Sequence, residues 1–230
     1  MTQEIEDIFR RVQPNVDFCS LRYVHSNAQQ LGIRQGVLQP MQRESDRGVM
    51  LTVHHGGGTG YAATADLSEA GIKRAIERAQ HWAKTTAGRA VTDFSALSMP
   101  QERGGYESDV VQPWGAVPLA DRLDLLSEVS ESLKVSDKII DWSVSLWNTE
   151  DTTLYLTAGG GRVEQKLTFL VPHVEVAAND GSDTQYRTLG GRGFCRQAGW
   201  ELLENVGFRT VGKGLAEEAL QLLSAPDCPS

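Results

Sequence analysis

Hydrophobic and polar positions along this chain fall into blocks of two periods. Ile5, Ile8, Phe9 and Val12 recur three or four apart, which predicts a short amphipathic helix ended by Pro14. From Asp17 to His25 the period drops to two, with Cys19, Leu21 and Tyr23 on one face of a strand. A second strand is expected over Gln29 to Leu38, and a third where Val49, Leu51 and Val53 share a face. Gly56-Gly57-Gly58-Thr59-Gly60 supplies a turn, and Tyr61 to Ala65 returns as a fourth strand. Asp66, with Glu69 three residues on, resembles a capping box. Ile72, Ala75, Ile76, Ala79 and Trp82 are expected as the buried stripe of the helix that follows.

The second half repeats this plan. Pro118 suits the first turn of a helix, and Leu119, Leu123, Leu126, Val129 and Leu133 form its expected stripe. Trp142, Val144 and Leu146 line one strand, and Leu154, Leu156 and Ala158 another. Gly159-Gly160-Gly161 makes a turn. Arg162 to Asn179 follows as one long strand or two, interrupted at Pro172. Thr184 to Leu189 is the last strand, ending in Gly190-Gly191-Arg192-Gly193. Trp200, Leu203 and Val206 mark a short helix. Val211, Leu215, Ala219 and Leu222 mark a terminal one, stopped by Pro226 and Pro229. Between the halves, Gly88 to Val117 has no period. A mobile crossover, a partner-contacting arm and a segment packed in extended form all fit it. The predicted class is α+β: a mainly antiparallel sheet with covering helices, in two similar helix–strands–helix halves.

At 230 residues the chain can bury about 70% of its unfolded surface without staples. A net charge of −8 argues against a nucleic-acid surface. Three widely spaced cysteines, Cys19, Cys195 and Cys228, form no disulfide framework and point to reduced thiols and a cytoplasmic location. The acidic start lacks the apolar core of a signal peptide, and no apolar run approaches the ~20 residues that span a bilayer.

Candidate chemistry is thin. His54-His55 are adjacent on a strand, so their imidazoles diverge, and at the mouth of a glycine turn solvation is expected. His173 and Glu175 share a face, but a catalytic zinc usually has three protein ligands and no third is in view. His25 and His81 stand alone. Gly56 to Gly60 lacks the Gly-Lys-Ser/Thr ending of a phosphate loop. Cys195 has Arg192 and Arg196 beside it but no histidine in sequence reach. The remaining candidate is the strand end at Gly190, Gly191 and Arg192, with Arg187 just before it. Its glycines permit close backbone approach by a ligand, and its arginines can hold carbonyls or carboxylates.

Several segments, in order, resemble the amino-terminal part of the TldD/PmbA family of metallopeptidases, also called modulators of DNA gyrase. Arg47-Gly48-Val49 followed by Gly57-Gly58-Thr59-Gly60-Tyr61-Ala62-Ala63-Thr64 resembles the family's glycine-turn hairpin, and Asp66-Leu67-Ser68 its helix start. Thr157-Ala158-Gly159-Gly160-Gly161 resembles the turn before its long strand. Tyr186 to Gly191 and Gln197-Ala198-Gly199-Trp200-Glu201 resemble its next signatures, and Leu222 to Pro226 its interdomain junction.

The resemblance implies a family domain over residues 1–225 and the start of an interdomain linker over 226–230. The zinc-binding His-Glu-x-x-x-His helix is then expected in a carboxy-terminal domain. This sequence has no His-Glu dipeptide, so no cofactor and no catalytic residue are expected within it, and it is expected to be inactive alone. The implied role is a substrate-channel and dimerisation domain in peptide maturation or degradation. The implied partners are a peptide and a homodimeric or related TldD/PmbA-type subunit, with no nucleic acid and no membrane. The alternatives are a free-standing, non-catalytic peptide- or protein-binding adaptor and a partner subunit with a lost active site.

Overall fold

Period-two alternation runs further than its apolar part. The computed structural model describes residues 1–89, 94 and 97–226. In it α1 (Thr2–Val12) is followed by one strand, β1 (Phe18–Arg34), where two were expected. No glycine or proline lies between His25 and Gln29, so nothing turns the chain. His25, Asn27 and Gln29 continue the alternation of Leu21 and Tyr23 with polar side chains. Gln35 and Gly36, both at positive φ, then form a two-residue turn into β2 (Val37–Leu38). The same correction applies later. β6 (Ile139–Thr157) is one strand rather than two, because no glycine or proline separates Leu146 from Leu154.

The remaining elements are β3 (Gln42–His55), β4 (Gly58–Thr64), α2 (Glu69–Thr86), β5 (Arg103–Glu107) and α3 (Leu119–Leu133). After β6 come β7 (Arg162–Asn179), β8 (Thr184–Gly190), β9 (Arg196–Gln197), α4 (Glu201–Asn205) and α5 (Val211–Leu222). The strands form one sheet in the order β4-β3-β1-β6-β7-β5, with β2 on β1 and with β8 and β9 on β7. The fold is α+β, with a large antiparallel sheet and helices covering it. β5 is the exception to the antiparallel rule: it runs parallel to β7, with Arg103 opposite Arg162. The aperiodic connection between the halves therefore contains a segment packed in extended form.

Pro172 does not interrupt β7. It lies between the stretch paired to β9, which ends at Leu170↔Arg196, and the stretch paired to β8, which begins at His173↔Gly190. Its missing N–H thus falls where the partner strand changes, a place where a sheet tolerates proline.

The chain divides into two units that are not consecutive in sequence. One comprises Met1–Asn27, Ser45–Glu107 and Asp151–Leu167; the other comprises Ala28–Glu44, Ser108–Glu150 and the described residues from Thr168 onward. The first unit's core gathers Ile5, Phe9, Leu21, Tyr23, Leu51, Ile72 and Leu156. The second unit's core gathers Leu31, Leu126, Val129, Leu146, Val176, Phe208 and Ala219.

Within the first unit, glycine decides how closely α2 meets the sheet. Gly56 and Gly57, both at positive φ, make the two-residue hairpin turn, while Gly58 already belongs to β4 opposite His55. A methyl group at Gly58 would run into the carbonyl of Ala83, and one at Gly60 into that of Ala79. The helix backbone therefore rests on the strand, with only alanines between. This explains a correction to the expected stripe: Ile72, Ala75, Ile76, Ala79 and Ala83 are buried, whereas Trp82 is 54% exposed. An indole has no room at this contact. The helix start also differs from the expected capping box. Ser68 is the N-cap, its Oγ accepting from the Gly71 N–H at 3.1 Å, and Asp66 Oδ1 accepts from the Ser68 hydroxyl at 2.6 Å. The stripe of α3 is likewise rotated from the expected one. It buries Arg122, Leu125, Leu126, Val129, Ser130 and Leu133 and leaves Leu119 exposed.

The glycine contact makes a direct prediction. Gly60→Ala should destabilise the chain by about 1–3 kcal/mol, because backbone on the far side cannot yield as a side chain would. Gly104→Ala, where a methyl meets open space, should be nearly neutral. Urea denaturation of both variants checks this, and equal midpoints would contradict the close packing.

Candidate functional site

β8 lies against β7 from Asn179↔Thr184 to His173↔Gly190, and just past it the Gly191 N–H donates to the Pro172 carbonyl at 3.0 Å. Main-chain groups of successive residues point to alternate sides of an antiparallel strand. Those of Arg187 and Leu189 therefore face β7, with that of Gly191. Those of Tyr186, Thr188 and Gly190 face the other way, where β8 has no strand partner among the described residues. The strand ends in two glycines at positive φ, and a methyl at Gly190 would run into the Pro172 carbonyl. Glycine is required there to close the strand end, whatever else it does.

The four residues singled out from sequence do not all converge. Gly190, Gly191 and the exposed Arg192 share the strand end. Arg187 sits opposite Val176, a core residue, so its side chain lies on the helix-covered face, where Nε donates to Glu218 Oε2 of α5 at 3.2 Å. Tyr186, 58% exposed, and Thr188 occupy the opposite face with Glu175 and His173. His173 Nδ1 is buried without a hydrogen-bond partner.

The histidine pair departs from its expected solvation. His54 is only 7% exposed, stacked on Phe18 at 5.5 Å and on Phe94 at 4.6 Å between ring centroids. Its Nδ1 lies 2.8 Å from Thr59 Oγ1. The apolar rings around it explain the burial. Desolvation pushes its pKa below the ordinary histidine value, partly opposed by nearby Asp17. Among the described residues, no three His, Cys, Asp or Glu side chains gather closely enough to hold a metal ion. Cys19 and Cys195 are free thiols. Burial pushes the Cys19 pKa up to about 12, which keeps it protonated and a poor nucleophile. Cys228 and the rest of the expected linker past Pro226 lie outside the described residues. No helix among the described residues is long and apolar enough to cross a membrane.

One polar cluster escaped the sequence reading. Gln29 Oε1 accepts from both Trp114 Nε1 and Arg122 Nη1, each at 2.7 Å. The Arg122 guanidinium lies 4.5 Å from the Trp114 ring centroid. A signal for it existed. Positions 122, 126, 129 and 133 keep helical spacing, so an arginine stands on the stripe of α3.

Fold and site together define an α+β scaffold whose polar chemistry lies in a free strand edge and in arginines. Residues 19–83 match the family described as PmbA/TldA metallopeptidase domain 1, and residues 112–223 match its central domain. The chain belongs to this PmbA/TldD metallopeptidase family. A metalloprotease of Methanothermobacter thermautotrophicus is 25% identical over 232 residues, covering 100% of this chain and 48% of its own length. A metalloprotease of Synechocystis is 25% identical, covering 96% of this chain and 46% of its own length. The chain thus spans about half the length of these curated relatives. Among solved structures, a candidate modulator of DNA gyrase from Thermotoga maritima superposes with a TM-score of 0.75 at 16% identity, over 100% of this chain and 50% of its own. TldE from Thermococcus kodakarensis gives 0.65 at 15% identity, over 95% of this chain and 46% of its own. At these identities the likeness shows the fold.

His54 supplies a pH prediction. Its pKa is lowered in the fold, so the unfolded chain takes up the proton more readily. Stability from neutral His54 is full above the ordinary value of about 6.5 and is lost as pH falls through the folded value. Denaturation midpoints of the wild type should fall more steeply than those of His54→Gln between about pH 7 and 5. Parallel profiles would show that His54 does not titrate in this way.

Proposed function

We propose that this chain is the substrate-channel and dimerisation portion of a PmbA/TldD-type metallopeptidase acting in peptide maturation or degradation. The observation that carries the reading is the free edge of β8. Tyr186, Thr188 and Gly190 present their main-chain groups away from β7, with the Tyr186 carbonyl accepting from Arg187 Nη1 at 3.3 Å, in a family whose members are metallopeptidases. An extended peptide can join such an edge main chain to main chain, independent of its sequence. Arg192, exposed at the strand end, offers a charge to a carbonyl or carboxylate of that peptide. Arg187 acts at one remove on this reading: its ion pair with Glu218 braces β8 against α5.

Zinc enters through the family's His-Glu-x-x-x-His helix, which supplies the ligands and the base that activate water. These 230 residues contain no such motif. The part of the work assigned to this chain is to bind and align a peptide and to meet a second subunit, either a copy of itself or a related one. The proposed setting is cytoplasmic.

A proline in the edge strand tests the peptide role. Thr188→Pro deletes one outward N–H and obstructs an added strand, and edge positions tolerate proline within their own sheet. Anisotropy of a labelled, unstructured peptide should show affinity falling about tenfold in Thr188→Pro, the worth of one or two hydrogen bonds. Thr188→Ala should stay within about twofold, and the melting temperatures of both should lie near that of the wild type. Unchanged peptide affinity in Thr188→Pro would remove β8 from the channel.

A further inference from the structure

Arg122 is a charged side chain held in a core position without an opposite charge. It is 8% exposed, and its Nε is buried with no hydrogen-bond partner. In a guanidinium, Nη1 lies on the Cδ side and Nη2 beside the Nε–H. Gln29 therefore occupies one edge through Nη1 and leaves the two-donor edge of Nε and Nη2. Elsewhere in this chain that edge grips carboxylates. Arg34 donates from Nε at 3.0 Å and from Nη2 at 2.7 Å to the two oxygens of Asp141. Arg162 donates from Nε to Glu6 at 2.8 Å and from Nη2 to Glu164 at 2.7 Å.

At Arg122 the same edge meets no carboxylate among the described residues. A charge that bears on it is another cation: burial first, and then Arg43, push its pKa below the ordinary arginine value. Its place in the first turn of α3 adds the positive end of a helix dipole instead of relieving the charge. The surroundings also hold the group in place. Its Cζ lies over the Trp114 ring at 4.5 Å from the centroid, and Gln29 Oε1 ties Trp114 and Arg122 to the same strand. A fixed, desolvated guanidinium without a counter-ion carries a large electrostatic cost that a planar anion on its free edge would relieve.

We propose that the Nε/Nη2 edge of Arg122 is a binding site for a carboxylate carried by a peptide. The carrier rests on the peptide-binding reading above; the carboxylate chemistry rests on Arg122 itself. A peptide offers this group as its C-terminus or as an aspartate or glutamate side chain. The two sources share the chemistry and differ in where along the peptide the site acts. Arg43, exposed and nearby, strengthens the local field without holding the guanidinium in place.

The Nε–Hε resonance of Arg122, assigned by its loss in Arg122→Lys, reports on this edge directly. The 230-residue chain would be titrated with four probes: an N-acetylated alanine peptide with a free C-terminus, its C-terminal amide, the amide carrying one internal glutamate, and acetate. Saturable movement with the first or the third probe, and not with the plain amide, is expected; which of the two acts identifies the source. Arg43→Gln, at an exposed position that leaves the fold alone, should weaken that response about two- to fivefold. Movement with neither carboxylate peptide overturns the proposal. So does an equal response to acetate, because the carrier is then not a peptide. Equal movement with the plain amide also removes the carboxylate site while leaving peptide binding at β8 standing.

Discussion

Everything in this fold depends on period-two alternation being held without a break over strands of 17 to 19 residues. A strand that slips by one residue turns its whole apolar set to the wrong face. β1 keeps Leu21 and Tyr23 in one core and Leu31 and Ile33 in the other, and the alternation connects them. β6 does the same with Leu146 and Leu156. Each core therefore draws on three separated segments of the sequence, and neither unit is a continuous stretch of chain.

That arrangement sets what was legible beforehand. Apolar alternation located the strands and their inward faces, and helical spacing located the helices. Polar residues in mid-strand misled: His25 and Asn27 resemble the end of a strand, as do Asn148, Glu150 and Thr152. Without a glycine or proline among them they are its continuation. β5 has no apolar alternation at all and takes its conformation from pairing with β7. Helix faces were harder to fix. Trp82 and Ala83 are neighbours, and only the contact at Gly58 and Gly60 decides that the smaller one is buried. Spacing alone weighs hydrophobicity, whereas backbone contact selects for size.

The candidate site was half legible. The glycines and arginines near position 190 draw attention by composition, and the strand end they form is real. Register then separates them, putting Arg187 on the helix side and leaving main-chain atoms as the chemistry of the open edge. Main-chain chemistry has no residue signature, so no motif could announce it. Arg122 was hidden for the opposite reason: a charge in a helical stripe reads as an exception to the pattern, although a buried arginine facing no carboxylate is what the structure contains.

The central claim is that β8 accepts an extended peptide along its free edge, and amide hydrogen exchange tests it most directly. Outward N–H groups alternate with inward ones that β7 already holds. Adding a saturating unstructured peptide should slow exchange at Tyr186, Thr188 and Gly190 and leave Arg187 and Leu189 as they were. Slowing on every residue of the strand alike, or on none of the outward three, would contradict edge pairing as the function of this strand.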